Sequence, residues 1–294
     1  MKLAAMMGSY PKTEALKSGA LASPLLEFDF APIDVATKGF KAVVRQQAFQ
    51  VAELAIVTFL QALAAGKPYL LLPFVMNGGF HHKSVLGRAE DRLAPGDLVG
   101  RRVAMRSYAQ TTPTWVRGIL SDDYGVPIDR VQWMSQETAH VAEYHDPAWV
   151  TPLDAGAGLE EMLLAGEVDA IIAGGGLSGD PRIQPLIPDP KKAALDWHAR
   201  HGVVPINHVV VVHKDLVADR PDVVREIFRM LCESRDRAEP RAERSVGPWL
   251  QPSGFDAVRP GLEMIIRYAH EQSLVPERLA VEALYGDVAR ALRA

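Results

Sequence analysis

From Gly100 to Gly118 the chain reads GRRVAMRSYAQTTPTWVRG, and this stretch restricts the fold more than any other. A short β-type run, Val103-Ala104-Met105, enters a polar loop from Arg106 to Thr112, and Pro113 follows at the expected start of a helix. A threonine hydroxyl can cap free backbone N–H groups there, and proline loses nothing at the first helical position. The order strand, hydroxyl-rich loop, helix N-terminus is that of an α/β unit. Such an end carries unpaired donors and partial positive charge, which suits a carboxylate or phosphate. Arg106 adds a forked partner for a carboxylate. The alternative is an ordinary connecting loop with a good cap.

The same alternation runs through the chain. Leu3–Met7 and Leu26–Phe30 read as strands, Thr13–Ser18 as a helix, and 39–47 and 51–64 as helical. Tyr69–Val75 reads as a buried strand that kinks or lies at an edge, because Pro73 cannot donate to a central ladder. Val131–Met134 and Val168–Ala173 continue as strands, with helices at 115–124 and 159–164. After a Pro-rich stretch and a helix at 191–201, Val203–Val212 is a strong β run, and helices dominate thereafter. Strands alternating with helices imply parallel pairing with helices on both faces. The pattern splits into two α/β lobes, residues 1–84 with 208–294, and 85–207.

Bulk properties remove several function classes. With 36 acidic and 32 basic residues and no basic block, nothing favours nucleic acid. No run of about 18 apolar residues exists, so no membrane insertion is expected. The apolar start ends at Gly8, short of the roughly 7–15 residues of a secretory core, and a cytoplasmic location is expected. Cys232 is the only cysteine and lies in an amphipathic helical pattern, so it reads as a small buried residue. Gly174–Gly179 fits GxGxxG, but Asp180-Pro181 follows directly and no helix opens on the glycines, so it reads as a loop at a strand end. His140, Glu143, His145 and Asp146 form H-x-x-E-x-H-D. The spacing does not put two histidines one turn apart on a helix, so no metal is assigned and a loop crossing toward the cleft is expected.

Several blocks carry a family resemblance: Phe49-Gln50-Val51-Ala52-Glu53-Leu54, RSYAQTTPTWVRGILSDDYGV (106–126), AHVAEYHDP (139–147), LLAGEVDAII (163–172), DPRIQPLIPDP (180–190) and HGVVPINHVVVV (201–212). On these the chain resembles the 4,5-dihydroxyphthalate decarboxylase family, which is similar to the substrate-binding proteins of transporters. The resemblance departs at Gly79-Phe80-His81-His82, where the family often has Arg-Phe-Arg-His, and at Phe49-Gln50-Val51, where it has Phe-Asp-Val. It implies an α/β, two-lobed type II periplasmic-binding-protein-like fold, with two mixed sheets flanked by helices and an interlobe cleft. It further implies decarboxylation of a hydroxylated aromatic carboxylate such as 4,5-dihydroxyphthalate, a small anionic aromatic ligand, and no cofactor. The alternative is a non-catalytic solute-binding protein or sensor for a small carboxylate. A homo-oligomer is compatible with either.

Losing CO2 from such a ring requires a base near a ring hydroxyl, an acid near the ring carbon and a clamp for the remaining carboxylate; histidine suits the first two. His208 is the leading candidate, because with Asn207 it interrupts an apolar strand at the lobe crossing; a hydrogen-bonded core histidine is the competing reading. His81 and His82 follow the strand at 69–75, and His82 is preferred because it matches the family's histidine. Glu53, placed at a helix start, is a third catalytic candidate, although it could simply favour a helix N-terminus. Arg106, Tyr108, Gln110, Thr111, Thr112 and His81 complete the expected substrate-binding set.

Overall fold

The computed structural model describes residues 1–154, 156, 158–240 and 247–293. Eleven strands form two mixed sheets among these residues. β1 (Lys2–Met6), β2 (Glu27–Phe30), β3 (Val51–Ala55) and β4 (Tyr69–Gly78) belong to the first. β5 (Val85–Arg88), β6 (Arg102–Met105), β7 (Gln132–Ser135), β8 (Thr151–Pro152), β9 (Ala170–Ile172) and β10 (Ile183–Pro185) build the second. β11 (Ile206–His213) then returns to the first sheet, giving orders β2-β1-β3-β11-β4 and β10-β5-β9-β6-β7-β8. In the first sheet β1 is parallel to β2 and β3, whereas β11 runs antiparallel to β3 and β4. In the second, the β9-β6-β7-β8 block is parallel, and β5 runs antiparallel to both of its neighbours, β9 and β10. The expected α/β architecture with two mixed sheets is therefore what the chain adopts.

Helices α1 (Pro11–Lys17), α2 (Ile56–Ala64), α3 (Thr111–Tyr124), α4 (Leu159–Leu164) and α5 (Pro190–His201) connect strands. α6 (Lys214–Asp219), α7 (Pro221–Ala238) and α8 (Phe255–Glu271) follow the last strand. The segment 51–64, read as one helix, divides: Val51–Ala55 is strand and only Ile56–Ala64 is helix. Every residue of β3 is buried, and it is paired on both sides, Ala5↔Val51 to β1 and Val210↔Glu53 to β11. A strand covered on both faces shows an unbroken apolar run, which periodicity does not separate from a buried helix. Pro73 sits in β4, which is an edge strand as expected, and the β4–β11 ladder carries register shifts.

The start of α3 also differs from the expectation. Gln110 is the N-cap, with extended φ −72° and ψ 149°, so Thr111, Thr112 and Pro113 are the first three helical residues. Proline is tolerated at this third position for the same reason as at the first: no N–H in the first turn has an intrahelical acceptor. Gly125 closes the helix in the left-handed region.

α3 joins the two sheets. The Trp115 indole N–H donates to the Ile206 carbonyl of β11 at 2.9 Å, and the fully buried Trp115 and Trp133 lie in one apolar cluster with Val57 and Phe59 of α2. Gly118 lets α8 approach α3: a Cβ there would stand 2.3 Å from the Tyr268 ring. That ring is buried and its hydroxyl donates to Asp122 at 2.7 Å, so it has no free path away. Gly118→Ala should therefore destabilise the protein by about 1–3 kcal/mol, the usual cost of overpacking. Chemical denaturation checks this; an unchanged or higher midpoint would show that the α3–α8 contact is loose.

Candidate functional site

A cavity of about 460 Å³ opens between the sheets, lined by residues of both. The first sheet contributes Ala55 and Thr58 at the β3–α2 junction and Asn207 and His208 of β11. From the second come Arg106, the α3 start at Gln110 to Pro113, and Ile172 to Gly175 at the carboxyl end of β9. Phe40 and His140 close further walls. Two helices therefore turn their N-terminal ends to one space. The Thr111 hydroxyl, on α3, accepts the Val57 N–H of the α2 first turn at 3.4 Å. Two helix N-termini so placed give a fixed positive potential and a set of N–H donors, which favours an anion.

The most constrained side chain in the cavity wall is His208, which is paired with Glu53 behind it. Glu53 is fully buried in the middle strand of the first sheet. Its Oε2 accepts the Gly8 N–H at 2.9 Å, and Oε1 accepts the Tyr10 hydroxyl at 2.9 Å. His208 Nδ1 lies 2.6 Å from the same Oε1. Register explains the meeting: His208 is opposite Ala55 and Val210 opposite Glu53, so Glu53 and His208 are diagonal neighbours on one face. A buried carboxylate needs such partners, since an unpaired one is prohibitively desolvated. The carboxylate fixes Nδ1 as the protonated nitrogen, which leaves Nε2 to face a ligand. Burial and then the Glu53 charge push the Tyr10 phenol upward, so it stays a hydrogen-bond donor.

Among the other expected residues, Arg106, Gln110, Thr111 and Thr112 line the cavity with His208. Arg106 Nε pairs with Glu137 at 2.7 Å, and both side chains are about half exposed, so this pair is weak and exchangeable. Glu53 reaches the site through His208 and stands on a strand instead of a helix start.

Three of the expected residues lie outside this cavity lining. Tyr108 is fully buried away from the cavity: its hydroxyl donates to the Gln272 carbonyl at 3.2 Å and its ring stacks under the Arg117 guanidinium at 3.8 Å. His81 is also outside the lining, its ring parallel to Trp115 at 6.5 Å, although its neighbour in space Asn207 does line the cavity. His82 packs on Trp197 at 5.8 Å and lines a separate apolar groove with Phe80 and Ala194. β4 ends at Gly78, so 81 and 82 leave the sheet before they could reach over the cavity. Glu143 of the H-x-x-E-x-H-D segment turns out to Lys67 at 2.5 Å, while His140 alone of that group lines the cavity. Among the described residues no three metal-ligating side chains converge.

Thr58, Phe40 and His140 line the site although the sequence analysis assigned none of them to the ligand. Thr58 lies three residues past the β3–α2 boundary, a position that carries a signal only once the strand is recognised. Phe40 shows nothing beyond an apolar residue.

Similarities to known proteins agree with this geometry. The chain is 28% identical over 240 residues to a 4,5-dihydroxyphthalate decarboxylase of Comamonas testosteroni, covering 75% of this chain and 71% of that one. It is 28% identical over 211 residues to a 4,5-dihydroxyphthalate decarboxylase of Pseudomonas putida, covering 67% and 81%. No protein-family model matches. The periplasmic aliphatic sulphonate-binding protein SsuA of Escherichia coli superposes with TM-score 0.58 at 13% identity, over 97% of this chain and 91% of that one. A point mutant of DSZB in complex with biphenyl-2-sulfinic acid superposes with TM-score 0.53 at 14% identity, over 99% of each chain. No described helix is long and apolar enough to cross a membrane.

Buried histidines give a pH test. Burial lowers His81, His82 and His140 from the ordinary 6.5 to about 4 each. The folded state keeps them neutral, so as pH falls below 6.5 the unfolded chain takes protons first. Their contribution is complete above pH 6.5 and is lost as pH drops toward 4, at most about 3 kcal/mol apiece. Between pH 7 and pH 5 the urea midpoint should fall more for wild type than for His82→Gln; equal losses would show that His82 does not titrate this way. In sequence the chain is similar, at 28% identity, to two 4,5-dihydroxyphthalate decarboxylases, and its fold is that of periplasmic sulphonate-binding proteins.

Proposed function

We propose that the chain is a carboxy-lyase for a hydroxylated aromatic carboxylate such as 4,5-dihydroxyphthalate, held in the cavity between the sheets. One observation carries this reading: an imidazole backed by a buried carboxylate opens onto a space that also receives two helix N-termini. Anion binding needs the second feature alone; the first is a proton-transfer device. The similarity to two decarboxylases supports the same class of reaction. We also take residues 1–84 with 208–294, and 85–207, as the two lobes, in keeping with the membership of the two sheets.

The chemistry follows from the pair. Nε2 of His208 accepts the proton of a ring hydroxyl para to the departing carboxylate. The phenolate pushes electron density toward the carbon that bears the carboxylate. That carbon takes a proton from solvent, the C–C bond breaks, its electrons stay on the ring, and CO2 leaves. His208 then returns its proton to the phenolate oxygen, so one proton is consumed per CO2. Glu53 offsets the imidazolium charge while it exists and keeps the ring oriented. Arg106, Gln110, Thr111, Thr112 and the α3 first turn hold the carboxylate that remains.

A second reading is a solute-binding protein that closes on its ligand without chemistry, favoured by the fold of the sulphonate-binding protein. Incubation with 4,5-dihydroxyphthalate separates the two. The expected result is CO2 release with one carboxylate retained, lowered by about 10²–10⁴-fold in His208→Asn, the usual range for losing a general base. Glu53→Gln should lose rate in the same direction. Ligand recovered intact from every hydroxyphthalate tried would leave the solute-binding reading.

A further inference from the structure

The cavity is electrically lopsided. Behind His208 stands the buried Glu53 carboxylate. His140 stands in a different setting: Lys41, Arg106 and Arg45 surround it with positive charge, and Glu137 is the opposing carboxylate. The α2 first turn reaches the same place through Thr58.

His140 is held at several points. Its Nδ1 lies 3.0 Å from Thr58 Oγ1. Arg45 Nε donates to the His140 carbonyl at 2.7 Å, and a second Arg45 nitrogen donates to the Ala139 carbonyl at 3.2 Å. The imidazole meets the Phe40 ring edge-on at 5.4 Å, and Phe40 meets His208 in the same way at 5.3 Å. One phenyl thus spaces two imidazoles that both line the cavity. A histidine fixed at ring and backbone is preorganised for a ligand, which a solvated loop residue is not.

Burial, reinforced by Lys41 and Arg106, holds His140 down to about 4, so at neutral pH the ring is uncharged. A neutral imidazole has one donor and one acceptor nitrogen. We assign the Thr58 hydroxyl proton to Nδ1, which makes Nε2–H the donor.

We propose that His140 is a carboxylate-binding residue of this cavity: its Nε2–H donates to an oxygen of the carboxylate that stays on the aromatic ring. His140 and the Glu53–His208 pair then set the direction of the ligand, acid group toward His140 and hydroxyl groups toward His208. A reversed ligand would bring its carboxylate toward the Glu53 charge and is disfavoured. This inference rests on reading the cavity as a site for a hydroxylated aromatic carboxylate, and it needs no turnover.

Phthalate, which has carboxylates and no hydroxyl, is the probe, titrated calorimetrically into the full chain. His140→Phe should weaken phthalate about tenfold or more, the size of one hydrogen bond to a charged group. His140→Gln, which restores an N–H donor, should return to within about threefold of wild type. Thr58→Val keeps the ring, removes the hydroxyl that fixes the tautomer, and should weaken binding in the same direction. His82→Gln, at a histidine outside this cavity, should stay within about threefold. Unchanged affinity in His140→Phe or Thr58→Val, an equal loss in His82→Gln, or no wild-type binding at millimolar phthalate would each overturn the assignment. Absence of CO2 release from hydroxyphthalates would remove the carboxy-lyase reading and leave this binding pattern standing, so the two fail separately.

Discussion

The Glu53 carboxylate is the constraint around which the first sheet is arranged. A carboxylate with no exposed surface must be fully hydrogen-bonded, since desolvation otherwise costs far more than a fold can supply. Its hydrogen-bond partners come from three places: Gly8 and Tyr10 just beyond β1, Asn77 on β4, and His208 on β11. Satisfying one side chain therefore fixes the turn after β1, the pairing of β3 with β11, and the orientation of the imidazole. The same bonds that relieve a buried charge leave a single nitrogen of His208 directed to the cavity. Structure and chemistry share one set of contacts here.

The second sheet answers with a different device. Its strand β6 runs into the α3 first turn, where backbone donors and the Thr111 and Thr112 hydroxyls line the cavity from the opposite side. Trp115 spans from α3 to the Ile206 carbonyl, one residue before Asn207 and two before His208. The anion-suited end and the proton-transfer end are thus held in register by a buried indole. Arg117, further along the helix, is wholly buried with Gln272 and the Tyr108 carbonyl as hydrogen-bond partners and the Tyr108 ring stacked on its guanidinium. It braces α3 against the end of α8.

Much of this was legible in the residues. The strand–loop–helix order at 102–124 was plain because a β run, a hydroxyl-rich loop and a left-handed Gly125 each carry their own local signal. His208 stood out as a polar residue inside an apolar strand. The β3 strand was hidden, because burial on both faces erases the period that would distinguish it from the helix that follows. That single loss misplaced Glu53 at a helix start and concealed Thr58. His81 and His82 are candidates because they follow the strand at 69–75, and His82 also because it matches the family's histidine, but β4 ends at Gly78 and their rings settle on Trp115 and Trp197. Tyr108 looked like part of the loop's polar face; alternation in a turn does not tell which side chain enters the core.

The account stands on the claim that Nε2 of a Glu53-held His208 meets the hydroxyl end of an aromatic acid. A structure of the protein with 3,4-dihydroxybenzoate tests it most directly. The account predicts a ring hydroxyl oxygen within hydrogen-bonding distance of His208 Nε2 and the carboxylate toward the α2 and α3 first turns. A carboxylate lying against His208, or a ligand bound outside this cavity, would contradict it.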